Sequence, residues 1–124
     1  MSAEPNAADQ DGQAAVIAFL EDPATHGGAR TRRIDTHAAM VFLAGDDVYK
    51  VKRPVKYAYL DFSTLERRKA ACDHELEVNH AYAGEIYRGV VPITRDPAGG
   101  LAIDGDGVPV EWAVHMQRFD ETAT

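Results

Sequence analysis

The residues with the types and spacing for phosphate chemistry lie between Met40 and Asn79, in MVFLAGDDVYKVKRPVKYAYLDFSTLERRKAACDHELEVN. Lys50 and Lys52 fall on the return strand of a hairpin. Glu75 and Glu77 fall on the capped helix that follows. A strand lysine paired with a glutamate on the next helix can form an ion pair that holds a nucleotide phosphate. Strand alternation puts Val48, Lys50 and Lys52 on one face and Tyr49 and Val51 on the other. Two ammonium groups on one face disfavour packing against a core. That face is therefore either solvent or the wall of a cleft where an anion compensates the charge.

The elements that position these groups are legible on either side. Ala38 to Leu43 reads as a strand through its Val and Phe content. Ala44-Gly45-Asp46-Asp47 reads as a hairpin turn, because glycine accepts positive φ and aspartates bond back to the backbone. Val48 to Lys52 is the return strand, ended by Arg53-Pro54 because proline has no amide proton to donate. Val55 to Phe62 is a short strand or an irregular connection. Ser63-Thr64-Leu65-Glu66 fits a capping box with Ser63 as the cap, and the helix runs to about Ala83. Leu65, Cys72, Leu76 and Ala83 share one face at helical spacing. Glu75 sits at the boundary between core and cleft, and Glu77 points further round.

Upstream, residues 1–12 read as a disordered lead-in and Gln13 to Glu21 as a short helix, broken by Asp22, Pro23 and Gly27-Gly28. Ala29 to Ile34 is a first strand with three arginines in four positions, followed by a turn that carries His37. Downstream come strands at 90–94, 101–103 and 108–116, separated by turns at 96–100 and 104–107. In the last strand Trp112 and Val114 alternate against Ala113 and His115. The Asp-Gly-Asp-Gly turn lacks the ligand pattern of a calcium loop. The fold class is α+β: a mostly antiparallel five- to six-stranded sheet with one long helix at about 64–83 and a short one at about 13–21.

At 124 residues with 13 basic and 20 acidic side chains, the chain is one domain of net charge -7. A general affinity for nucleic acid or anionic membrane is not expected from that balance. Ten of the 13 basic residues lie between Arg30 and Lys69, which suggests a local anion site as readily as a solvated surface. The single Cys72 precludes an internal disulfide and reads as a small core residue. Cys72 and His74 are too isolated for a metal site. No apolar run approaches the roughly 20 residues of a membrane span, and no signal region is visible, so a cytoplasmic location is expected. There is no P-loop of the GxxxxGKS or GxxxxGKT type, no dinucleotide fingerprint, and no spacing that suggests a serine, histidine and acid trio.

Four stretches taken together carry a resemblance: Thr36 to Val55, Tyr59 to Asn79, Tyr87 to Asp96 (YRGVVPITRD) and Val110 to Asp120 (VEWAVHMQRFD). In that order they resemble the N-terminal lobe of the aminoglycoside phosphotransferase branch of the protein-kinase-like fold. The likeness is to bacterial two-part proteins that join such a domain to a C-terminal P-loop ATP-binding domain. The resemblance implies ATP as cofactor, with Lys50 as the nucleotide-clamping lysine and Lys52 as the alternative on the same face. It makes Glu75 the lysine's partner, with Glu77 behind it. Met116 to Phe119 would link two lobes, with the backbone of Met116 and Gln117 meeting the adenine, and the glycine-free loop 35–39 would cover the phosphates. It implies a lobe over residues 13–120 and a tail at 121–124. A metal ion, an acceptor-orienting aspartate and the choice of a small hydroxyl-bearing acceptor would belong to a C-terminal lobe. No catalytic residue is therefore assigned in this chain, which is expected not to transfer phosphate alone. An uncovered cleft wall is expected to favour self-association. The alternative reading is a non-catalytic nucleotide-binding or protein-interaction module.

Overall fold

Alternating apolar residues and tight turns produce a main antiparallel sheet in the computed structural model, which describes residues 7–79 and 86–118, with side chains from Gln13 onward. The elements in chain order are α1 (Ala7–Glu21), a 3-10 turn (Pro23–His26), β1 (Thr31–Asp35), β2 (Ala39–Ala44), β3 (Asp47–Lys52), β4 (Lys56–Tyr57), β5 (Leu60–Asp61), α2 (Leu65–Val78), β6 (Tyr87–Arg95), β7 (Leu101–Ile103) and β8 (Val108–Gln117). The order in the main sheet is β1-β2-β3-β8-β6-β7, and β4 and β5 form a separate small hairpin. The architecture is α+β, as the sequence pattern requires.

The β2–β3 hairpin sets the register. Ala44 pairs with Asp47 across a two-residue turn, and Gly45 takes a φ of 59° there, a conformation that side chains other than glycine adopt at a cost. From that turn, Val41 falls opposite Lys50 and Ala39 opposite Lys52. On its other side β3 pairs with β8, so Lys50 faces Val114 and Val51 faces Ala113.

Cross-strand partners share a face, and the two faces receive different helices. Met40, Phe42, Tyr49, Val51, Ile93 and Ala113 form the buried core with Val16 and Leu20 of α1. Val16 and Leu20 are four residues apart, one turn along the same side of the helix. The lysine-bearing face of β3 and the matching faces of β8 and β6 carry α2.

Three details of the helices differ from the expectation. Helix α1 begins at Ala7, inside the stretch read as a lead-in; Ala7 and Ala8 favour helix. Residues 1–6 and 119–124 lie outside the described residues. Helix α2 is capped by Thr64 rather than Ser63: the Thr64 Oγ1 accepts from the Arg67 amide at 3.1 Å, while the Ser63 hydroxyl donates to Asp61 at 2.6 Å. With Thr64 as the cap, Arg67 occupies the place a reciprocal glutamate would need, so no capping box forms. The helix also stops at Val78, short of the expected Ala83, which lies outside the described residues. Asn79 closes it by donating from Nδ2 to the Glu75 carbonyl at 2.8 Å, a side-chain bond that competes with a further helical turn.

The helices are tied to the sheet through a buried charge that the apolar pattern did not reveal. The β3–β8 pairing ends at Val51 and Ala113. Beyond it, Gln13 of α1 donates to the Lys52 carbonyl at 2.8 Å and to Glu111 at 3.0 Å. From α2, Arg68 Nε donates to the same carboxylate at 3.0 and 3.2 Å, and its Nη1 reaches the Phe62 carbonyl at 3.0 Å. Arg68 and Glu111 are each 1% exposed. Burial pushes the Glu111 carboxyl up, against the pull of the Arg68 charge and the surrounding donors. Removing one partner of such a pair leaves an uncompensated buried charge. Arg68→Ala is expected to lower the unfolding free energy by about 3–5 kcal/mol, read from urea denaturation; a loss no larger than a surface substitution produces would contradict the role given to this pair.

Candidate functional site

The site is built on β3 and the last two turns of α2. The strand presents Lys50 and Lys52 on the same face, one pleat apart. The helix places Glu75 one turn beyond Cys72, whose side chain is fully buried against β8. That anchor directs the carboxylate at both ammonium groups. Lys50 Nζ is 2.8 Å from Glu75 Oε2, and Lys52 Nζ is 2.5 Å from Oε1. The Tyr87 hydroxyl approaches Oε2 at 3.4 Å. Glu77 lies on the exposed side of the helix, so of the two candidate glutamates it is Glu75 that the lysines reach.

The electrostatics follow from the geometry. Burial is the strongest single influence on Glu75 and opposes its charge. Hydrogen bonds and charge from Lys50 and Lys52 together outweigh it and hold the carboxyl below its ordinary range. Burial also pushes the Tyr87 hydroxyl up, reinforced by the Glu75 charge. Two cations against one anion leave the cluster with an excess positive charge.

The lysines differ in setting. Lys52 is 12% exposed and Lys50 26%. Lys52 also lies 5.9 Å from the centre of the Phe62 ring, whose face attracts a cation. Lys50 lies further toward the open part of the sheet. Its row runs Ile34, Val41, Lys50, Val114, and the next runs Arg32, Leu43, Val48, Met116. Ile34 is exposed at the sheet edge and Val41 and Leu43 are half-buried, so an apolar strip extends from Lys50 toward β1.

The remaining sequence candidates fall around this strip. Met116 and Gln117 are the closing residues of β8, paired with Val48 and Asp47. The Gln117 amide donates to the Ile86 carbonyl at 2.7 Å, and the strand runs one residue past the expected Met116. Phe119 lies outside the described residues. The 35–39 loop is closed on itself: the Ala39 amide donates to Thr36 Oγ1 at 3.0 Å and the Thr36 amide to the Ala39 carbonyl at 2.9 Å. His37 is exposed against the Tyr57 ring at 5.8 Å.

Cys72 is a core residue, its thiol pushed up to about 12 by burial, so it is not poised as a nucleophile. Among the described residues no cluster of three His, Cys, Asp or Glu side chains could hold a metal ion. Nor is any helix there long and apolar enough to cross a membrane.

A concavity missed in the sequence lies between α2 and β8, lined by Leu65, Ala70, Pro109 and Trp112, with a volume of about 650 Å³. Lys69 lies over the Trp112 ring at 5.1 Å. Leu65 falls on the expected helix face and Trp112 on the expected strand face, but their meeting depends on where α2 crosses β8.

No family model matches the chain, and no solved structure matches it. It is similar to uncharacterized proteins of Mycobacterium bovis and of two strains of Mycobacterium tuberculosis, 44% identical over 68 residues in each case. That stretch is 55% of this chain and 14% of each relative, so the chain spans a small part of the proteins it matches.

The depressed acidity of Glu75 fixes a pH dependence. A carboxyl held lower in the folded than in the unfolded state contributes stability above its unfolded value of about 4.3. That contribution is lost as pH falls through the lower folded value. The stability difference between the native chain and Glu75→Gln is therefore expected to be largest at neutral pH and to shrink below pH ~4. Urea titrations at several pH values check this; a difference independent of pH would contradict the ionised clamp.

Proposed function

We propose that the chain is the nucleotide-binding lobe of a phosphotransferase that uses ATP to phosphorylate a small hydroxyl-bearing substrate. One observation carries the reading: Glu75 bound at once by Lys50 and Lys52 on the half-open face of the sheet. A lysine anchored by a helix glutamate is what a nucleotide phosphate requires for orientation. The excess cation supplies the attraction, and ammonium groups at this depth meet a phosphate with little competing water. The apolar strip through the half-buried Val41, Leu43 and Met116 suits the flat face of a base.

Lys50 is the phosphate contact in this reading, because it is the more open of the two lysines and borders the strip. Met116 lines the base side. Gln117, whose amide is engaged by Ile86, would contribute through its carbonyl. Mg²⁺ would be held with the phosphates by carboxylates from a further lobe, since the described residues contain no metal cluster. The curated relatives are far longer than the stretch they share with this chain. That suits a lobe whose acceptor-orienting groups sit elsewhere in such proteins. The setting is cytoplasmic, where ATP is available, and the strip of sheet left open by α2 is the surface expected to pair with that further lobe or to self-associate.

ATP binding measured by isothermal titration tests the assignment. Lys50→Ala is expected to weaken binding by roughly tenfold or more, the loss of one charge-assisted hydrogen bond. Unchanged affinity in both Lys50→Ala and Lys52→Ala would overturn it.

A further inference from the structure

A clamp lysine that also binds phosphate faces a conflict. While Lys50 neutralises Glu75 it is not free for an anion, and if it leaves, a half-buried carboxylate loses its counter-ion. Stranding such a charge is unfavourable. The geometry around Glu75 removes the conflict, because its two oxygens are divided between different donors. Oε2 holds Lys50 at 2.8 Å and the Tyr87 hydroxyl at 3.4 Å. Oε1 holds Lys52 alone of the two lysines, at 2.5 Å.

Resting on the phosphate reading above, we propose that Lys52 is a positioning residue: it is the standing counter-ion of Glu75 and releases Lys50 to the phosphate. When Lys50 swings toward an anion, Oε1 keeps its ammonium partner and Oε2 keeps a hydroxyl donor. The carboxylate then stays ionised, and α2 stays attached to β3. The burial gradient sets which lysine moves. Lys52 is the deeper, with the Phe62 ring beside it, so leaving Glu75 would cost it a partner in a poorly hydrated place. Lys50 borders the half-exposed strip and can rotate about its own side-chain bonds without moving the backbone.

A cycle of variants separates this role from simple structural support. The probes are ATP and inorganic triphosphate, titrated into the 124-residue chain, with circular dichroism confirming the fold of each variant. Lys52→Met commits Lys50 to Glu75 and is expected to weaken binding of both probes by roughly tenfold or more. Lys52→Arg, which keeps the charge, is expected to restore it. Adding Glu75→Gln to Lys52→Met removes the charge that detains Lys50 while leaving an amide oxygen at position 75 to orient it, and is expected to recover part of the lost affinity, which a purely structural Lys52 would not allow.

Binding unaltered by Lys52→Met, with Lys50→Ala still disruptive, would overturn the role of Lys52 and leave the phosphate site standing. A double variant no better than Lys52→Met alone would also overturn it. Absence of any ATP or triphosphate binding by the unaltered chain would instead overturn the phosphate site itself, and the role of Lys52 with it.

Discussion

An ionised carboxylate taken fully out of water cannot persist without donors on every side, and Glu111 is such a carboxylate, with 1% of its surface exposed. Arg68 from α2, Gln13 from α1 and the Trp112 amide converge on it. They meet where the β3–β8 pairing stops after Val51 and Ala113. The carboxylate therefore sits in a gap in the sheet and joins the helices of its two faces through one charge. Replacing this network by apolar side chains of similar volume could leave the stability unchanged. What the charge adds is direction, because a guanidinium fork bonded at fixed geometry sets the rotation and depth of α2.

That constraint reaches the candidate site through the helix itself. Arg68, Cys72 and Glu75 recur at helical spacing on the side of α2 that meets the sheet. With Arg68 fixed by Glu111 and Cys72 buried under Trp112, Glu75 has little choice but to meet β3, and the pleat of β3 brings both lysines to that face. The functional cluster is thus positioned by two more deeply buried contacts, while remaining partly open itself. Its two lysines against one glutamate leave an excess of positive charge, which within an acidic chain is local to this face.

Much of this was legible in the sequence wherever local chemistry decides the outcome. The Gly45-Asp46 turn, the strands beside it and the shared face of Lys50 and Lys52 follow from turn preference and alternation. The place of Glu75 at the edge of the apolar stripe of Leu65, Cys72 and Leu76 was legible from helical spacing, and the resemblance singled it out as the lysine's partner. Competition between neighbours was not legible: Ser63 and Thr64 can both cap, and only the position of Asp61, which draws the Ser63 hydroxyl, decides for Thr64. The helix end was hidden for a similar reason, since Asn79 reads as an ordinary polar residue until its side chain turns back on Glu75. Arg68 did carry a signal, three residues after Leu65 and four before Cys72 on the apolar stripe. A charge in such a stripe implies a buried partner, but nothing local points to Glu111, which is distant in sequence and reached only once the sheet has formed.

The central claim is that an anion lands on Lys50 beside a Glu75 that remains held by Lys52. Lysine side-chain resonances followed by NMR during addition of inorganic triphosphate test it most directly. The Lys50 ammonium is expected to shift strongly on addition, while Lys52 keeps its contact with Glu75 and moves little. Shifts confined to the arginines of β1, or a Lys50 signal that ignores the anion, would contradict it.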